Sequence, residues 1–386
     1  MTRKLIFILT ILTLKLTYAQ NLNKETQFGG RIMYDLSMWQ TNNGNEETEM
    51  QGTEFRRVRF YNSGKLYENT KYKLQLDFAG GNISFKDVWI ELAELPMNGG
   101  LRIGHLKEPL RLEALTSSKY ITFMERALPI AFSRERNVGA MYHANFSKIS
   151  IQAGAFGNAN SFGNEEALSV KEGHDNVNIT GRITYLAINN DEKLLHLGAA
   201  MSKRKNSDHT YGFAVRPENH LGSKLLTPYF TDVEETNITG IELAYVQRHL
   251  SAQGEYIMTN VSTRDPVEGK EIIYELSGYY GQLSYFITRE SRNYKNSYTG
   301  FNRVNPNNNY GPGKGAIELV ARISRMDLSK TNMGKLDDIT IGVNWYLNPN
   351  TRFMVNYVMA ELIDGDGTGE VGTTENSLQC RIQIDF

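Results

Sequence analysis

Apolar and polar residues alternate with a period of two along almost the whole chain beyond residue 28. In the last segment Leu378, Cys380, Ile382, Ile384 and Phe386 share one face, and Gln379, Arg381, Gln383 and Asp385 share the other. Ile339, Ile341, Val343, Trp345 and Leu347 repeat the pattern, as do Tyr72, Leu74, Leu76 and Phe78. Successive side chains of a β-strand point to opposite faces, so each run is a strand with one oily and one wet face. The pattern predicts sixteen strands, at 29–40, 53–64, 67–78, 84–95, 99–106, 136–146, 148–157, 175–188, 194–204, 236–248, 250–261, 272–288, 315–327, 337–347, 352–362 and 376–386. Gly281 leaves room for a turn within 272–288, and eighteen strands would follow from it.

A soluble sandwich turns the oily face inward, whereas a membrane barrel turns it to lipid and keeps water in the lumen. The connections separate the two. Short turns at 248–250 and 347–351 alternate with long polar loops at 157–175, 205–236, 289–314 and 362–375. Short turns at one end and long loops at the other describe a bacterial outer-membrane barrel, with the turns in the periplasm and the loops outside. The N-terminus adds an export signal. Arg3 and Lys4 precede an apolar run from Leu5 to Leu16, and Thr17-Tyr18-Ala19 precedes Gln20. A membrane helix needs about 20 apolar residues, and Lys15 interrupts this shorter run. Residues 1–19 are therefore expected to be a signal peptide cut between Ala19 and Gln20. Residues 20–28 are expected to form a periplasmic leader and 29–386 a transmembrane antiparallel β-barrel. Phe386, ending an alternating strand, is the expected assembly signal for the outer-membrane insertion machinery, and the oily faces meet outer-membrane lipid.

Composition changes this picture little. Forty per cent hydrophobic residues would suit a soluble protein, but a barrel with a wet lumen averages the same. A net charge of −1 suggests no nucleic-acid partner, so any selectivity depends on where charges sit. The single Cys380 excludes an intramolecular disulfide, and no metal spacing of Cys and His occurs. The chain carries no His-Glu-x-x-His, no Gly-x-Ser-x-Gly and no phosphate-cradling glycine loop. It reads as a channel without cofactor, not as an enzyme.

Candidate chemistry concentrates in residues 53–139. About thirty residues separate strands 99–106 and 136–146, far more than a usual connection. Phe123, Met124, Leu128, Ile130 and Phe132 suit no exposed loop, so 107–135 is expected to fold into the barrel and constrict it. Lys107, Arg111, Lys119, Arg126, Arg134 and Arg136 lie in or beside it, interleaved with Glu108, Glu113, Glu125 and Glu135. Strand-borne candidates are Arg31, Arg56, Arg57, Arg59, Lys73, Arg102, Arg182 and Arg322. Parity turns Lys73, Arg182 and Arg322 into the lumen, together with Asp77, Asp87, Glu91, Glu318 and Asp385. Arg57 and Arg59 share a face, and Arg56 joins Val58 and Phe60 unless a bulge intervenes, so the facing of these three arginines stays open. Cations along a water-filled lumen replace part of an anion's hydration shell, and basic rings select anions. A water-filled lumen of either selectivity also carries paired internal charges.

Some stretches are distinctive in order and spacing. They are Thr53-Glu54-Phe55-Arg56-Arg57-Val58-Arg59, Leu101-Arg102-Ile103-Gly104-His105-Leu106-Lys107-Glu108-Pro109 and Leu115-Thr116-Ser117-Ser118-Lys119-Tyr120-Ile121-Thr122-Phe123-Met124-Glu125-Arg126. The series resembles the phosphate-selective porin O and P family, and the resemblance runs through the C-terminal strand. It implies a homotrimer of sixteen-stranded barrels, each with a long loop in its pore, passing small anions such as phosphate or pyrophosphate. It makes Lys119 the central lysine and Asp87 its acidic counterpart, and it sets Arg56 and Arg57 on the pore wall, which requires the bulge. The alternative is a porin for other small hydrophilic nutrients without phosphate selectivity.

Overall fold

A computed structural model of the chain describes residues 25–164, 177–205, 208–265, 267–296, 298–331, 333–363 and 371–386. The expected signal peptide, the expected Ala19–Gln20 cleavage pair and residues 20–24 lie outside the described residues, as do residues 165–176 of one long loop. Sixteen antiparallel strands close into a barrel. They are β1 (Glu25–Asn42), β2 (Glu47–Leu66), β3 (Thr70–Asp77), β4 (Ser84–Leu95), β5 (Gly99–Lys107), β6 (Arg136–Phe146), β7 (Ile149–Gly157) and β8 (Asn178–Asn189). β9 (Lys193–Arg204), β10 (Val233–Gln247), β11 (Leu250–Arg264), β12 (Glu271–Phe286), β13 (Ala316–Asp327), β14 (Lys335–Asn348), β15 (Thr351–Ile363) and β16 (Val371–Asp385) complete it.

Closure comes from β1 pairing with β16 in unbroken register from Arg31↔Asp385 to Asn42↔Thr374. The end of that seam is fitted closely. The Phe386 carbonyl accepts the Gly30 N–H at 2.8 Å. A Cβ on Gly30 would meet the Phe386 ring at 2.6 Å, so only glycine lets the terminal phenyl lie there. Along β1, Ile32, Tyr34, Leu36 and Met38 point outward, while Arg31, Met33, Asp35 and Ser37 are buried inside.

Three expectations change. Glu271–Phe286 is one strand, with Gly281 paired to Gly254 on one side and Ile323 on the other, so the barrel has sixteen strands and not eighteen. Residues 25–28, expected in the leader, already pair with β2 from Glu25↔Lys65 to Phe28↔Asn62. The third change concerns residues 289–314, expected at the long-loop end. Antiparallel strands alternate in direction, so the connection from β12 to β13 must lie with the short turns between β10 and β11 and between β14 and β15. This connection folds up into the lumen. Its two-stranded ribbon, Tyr294–Asn296 with Gly300–Phe301, reaches the loop between β5 and β6. Gly300, at φ +68°, is so close to that loop that a Cβ would stand 2.5 Å from Thr116 Oγ1.

The lumen is not uniformly wet either. Leu128, Ile130 and Phe132 of the β5–β6 loop join Tyr211, Val215, Leu226 and Phe230 of the β9–β10 loop in an apolar cluster inside the barrel. Inward-facing Ile238, Ile257, Val261, Leu276, Met326 and Leu336 complete it from β10 to β14. Each such side chain taken from water contributes roughly 1.5–3 kcal/mol, so the cluster fixes both loops against one side of the barrel. The open channel is left on the side of β1 to β6.

Two outcomes are expected. An epitope inserted after Glu268, between β11 and β12, should bind antibody on intact cells, and one inserted after Asn308 only once the outer membrane is permeabilised. Binding at Asn308 on intact cells would refute the assignment of the β12–β13 connection to the periplasmic end. Deleting Phe386 should lower the yield of folded barrel without affecting passage across the inner membrane; an unchanged yield would show that closure needs no terminal aromatic.

Candidate functional site

The β5–β6 loop, residues 108–135, crosses the barrel and finds backbone partners on the far wall. The N–H groups of Leu112 and Glu113, opening a one-turn helix Leu112–Leu115, donate to the Glu255 carboxylate at 2.9 and 2.8 Å. Gln383 donates to the Lys119 carbonyl, Arg352 to that of Ile121, Asn344 to that of Thr122, Arg381 to that of Met124 and Arg322 to that of Glu125. Asn356 accepts the Met124 N–H and Ser324 that of Leu128. Buried backbone groups must be paired, and here lumen-facing side chains of β11 to β16 pair them. The polar inner face of those strands is thus a cradle for the loop.

On the opposite wall β2 carries the bulge that parity left open. Met33 pairs with Arg57 and Tyr34 with Phe55, so Arg56 is the extra residue. Arg56, Arg57 and Arg59 consequently all reach the lumen. Arg56 meets Glu125 through two hydrogen bonds at 2.7 and 2.8 Å, and Arg59 meets Asp77 at 2.7 Å.

Two chambers lie along the open side. The inner one, of about 580 Å³, is bounded by β1 to β6, the β5–β6 loop and Lys295, Asn296, Tyr298, Thr299 and Phe301. Its lining holds ten lysines and arginines against three carboxylates, Asp87, Glu91 and Glu135. Lys73, Arg59, Arg102, Lys107, Lys119 and Arg126 are among the ten, beside Arg31 and Arg136. The outer chamber, about 250 Å³, is lined by Arg56, Arg57, Glu125, Arg126, Glu135 and residues 214–220 of the β9–β10 loop.

Most of these cations are partnered. Lys119 Nζ lies 3.0 Å from Asp385, which also binds Arg303. Asp87 bonds Lys73 at 2.7 Å and Arg136 at 2.8 Å, while the carboxylate bonded to Lys119 is that of Asp385. Two buried guanidiniums of the chamber walls differ. Among the described residues Arg31 and Arg57 have no carboxylate ion pair. Arg31 donates to the hydroxyls of Ser118 at 2.6 Å and Ser117 at 3.3 Å, and Arg57 touches only the Met33 sulfur, with both Nε atoms unpartnered. Burial disfavours ionised Glu125 and Glu135, yet neighbouring cations outweigh it and hold both carboxyls well below the usual range. Arg56, Arg57 and Arg381 do so for Glu125, and Arg126, Lys107 and Arg136 for Glu135.

Four sequence candidates stand away from both chambers, among them Arg322, which pairs with Glu113 and Glu218. Arg111 is a buried strut to the carbonyls of Ile130 and Ser133, Arg134 holds that of Ala159, and Arg182 pairs with Glu242 behind the loop. Conversely, Tyr298 was not a candidate. It packs Arg102 against Trp89, with ring centroids 4.8 and 3.9 Å from the guanidinium, and stacks on His143. Counting strands from the N-terminus would have set its loop at the periplasmic end; nothing in its composition points into the pore.

A family model described as phosphate-selective porin O and P matches residues 26–386. Porin O of Pseudomonas aeruginosa is 25% identical to this chain, over 90% of it and 88% of the relative. Among solved structures, an anion-selective porin from Comamonas acidovorans superposes with a TM-score of 0.57 at 15% identity, covering 94% of this chain and 100% of that one. The outer-membrane channel DcaP of Acinetobacter baumannii reaches 0.60 at 9% identity, over 94% and 97%. Fold, seam and family match agree: the chain belongs to the phosphate-selective porin O and P family and is a β-barrel porin of the bacterial outer membrane.

Proposed function

We propose that the protein is a passive channel for small anions, with phosphate or pyrophosphate as preferred permeants. The observation that carries the reading is the surplus of cations over carboxylates along the inner chamber, with Arg31 and Arg57 unpaired beside the path. A guanidinium with no carboxylate offers its donors to an oxyanion that brings its own charge. Ser117 and Ser118, held by Arg31, set hydroxyls beside Lys119, so several donors could share one oxyanion. A narrow lumen lowers the effective dielectric: a charge pair at 4 Å is worth about 1 kcal/mol in water and about 4 kcal/mol at a dielectric constant of 20. The names of the relatives, a porin O and an anion-selective porin, support the same reading. We propose a homotrimer as the assembly, the state named for OmpT of Vibrio cholerae, a structural neighbour with a TM-score of 0.56 at 10% identity.

The test is a planar-bilayer measurement with unequal chloride on the two sides, followed by added phosphate. Anion preference and block of chloride current by phosphate are expected. A reversal potential near zero, with no block, would assign the channel to other hydrophilic nutrients. Lys119→Glu should lower anion preference and raise the half-blocking phosphate concentration about tenfold or more, since it reverses a charge inside the constriction. Lys119→Glu without effect on either measure would remove the phosphate site from that loop. Arg57→Gln should weaken block in the same direction by about three- to tenfold, whereas Lys270→Gln, on an exposed outer connection, should leave it unchanged.

A further inference from the structure

The two chambers share only two lining residues, Arg126 and Glu135, which are themselves ion-paired. That pair stands where the two chambers adjoin, at the neck of the proposed channel. One Glu135 oxygen accepts from Arg126 Nη1; the other accepts from Arg136 Nη1 at 3.0 Å and stands 3.8 Å from Lys107 Nζ. A carboxylate held between two guanidiniums and an ammonium has the surroundings of a bound oxyanion. We infer that Glu135 is a tethered anion which closes the neck at rest, and that a permeating oxyanion opens it by replacing the carboxylate on Arg126 and Arg136. This deepens the anion-channel reading above and rests on it.

Three observations fit an exchange better than a fixed strut. Glu135 is the most exposed carboxylate of the channel, with 28% of its side chain accessible, against 16% for Asp87, 15% for Glu125 and 2% for Asp385. Its backbone is fixed, because its carbonyl accepts the Glu108 N–H at 3.1 Å just before β6, so the side chain alone has to swing. The cations hold their places without it. Arg126 donates to the carbonyls of Glu113 at 3.0 Å and Thr116 at 3.1 Å, Arg136 Nε donates to Asp87 at 2.8 Å, and Lys107 donates to the carbonyls of Leu115 and Thr116. The exchange also has a purpose. An empty site of three cations would trap a polyvalent anion, and conduction requires that an ion leave as readily as it enters. A resident carboxylate means that the entering anion gains only the difference between itself and Glu135.

The experiment compares full-length wild type, Glu135→Gln and Glu135→Asp as single channels in planar bilayers, in chloride and with added inorganic phosphate. Glu135→Gln is expected to raise chloride conductance and to lower the half-blocking phosphate concentration about three- to tenfold, the effect of removing one nearby like charge. Glu135→Asp, which keeps the charge, should move both much less. If Glu135 merely braces the loop, its loss leaves the block unchanged or weaker, and that result overturns the inference; so does an unchanged conductance. Should Glu135→Gln fail to assemble, Glu135→Ser makes the same charge change and is scored the same way. A wild type without anion preference or phosphate block would instead sink the anion-channel reading. The conductance comparison then still decides whether Glu135 closes the neck.

Discussion

Every backbone N–H and C=O in the hydrocarbon of a membrane must find a partner within the protein, and a sheet satisfies that only by closing on itself. In this chain closure depends on the pairing of β1 with β16, from Arg31↔Asp385 to Asn42↔Thr374, finished by Phe386 against Gly30. The rest follows from it. A closed sheet has one lipid face and one lumen face, so the two-residue period becomes an oily outside and a polar inside. Closure also brings residues from opposite ends of the sequence to one depth of the pore: Asp385 stands beside Lys119 and within the reach of Arg303.

The same rule, applied inside the lumen, explains how a 28-residue loop can be a precise wall. Segment 108–135 buries its backbone among side chains of β11 to β16 that present amide, guanidinium, carboxylate and hydroxyl partners to its N–H and C=O groups. Where the wall turns apolar, from β10 to β14, two loops deliver phenylalanines, leucines and valines to it. The barrel is thereby divided lengthwise into a packed half and an open half. Cations at the packed side, such as Arg182 and Arg322, are consumed by carboxylates and hold structure. Cations on the open side are in excess, and the bulge at Arg56 adds one more to that wall.

The alternation of single residues, the rhythm of turns and the apolar long insertion between strands 99–106 and 136–146 determined the barrel and the region of the in-pore loop, while the choice of sixteen strands over eighteen waited for the pairing of Gly281. Those are local properties: strand facing is set by the neighbour two positions away, and a connection's length can be counted. The motif residues also placed Lys119, Arg126 and the β2 arginines in the channel region, and even the bulge was demanded once Arg56 and Arg57 had to share a wall. What the sequence left undecided is which charge meets which. Lys119 finds Asp385, 266 residues away, because the seam and the loop bring them together only after closure. Arg111, Arg134 and Arg182 belong to the same basic inventory as Arg57 yet end as struts, since an ionisable side chain takes whatever partner the packed loop supplies. The inward ribbon at 294–301 and the neck at Arg126 and Glu135 were likewise settled by tertiary structure alone. Both are meetings of surfaces far apart in the chain, and no periodicity along one strand encodes the distance across a pore.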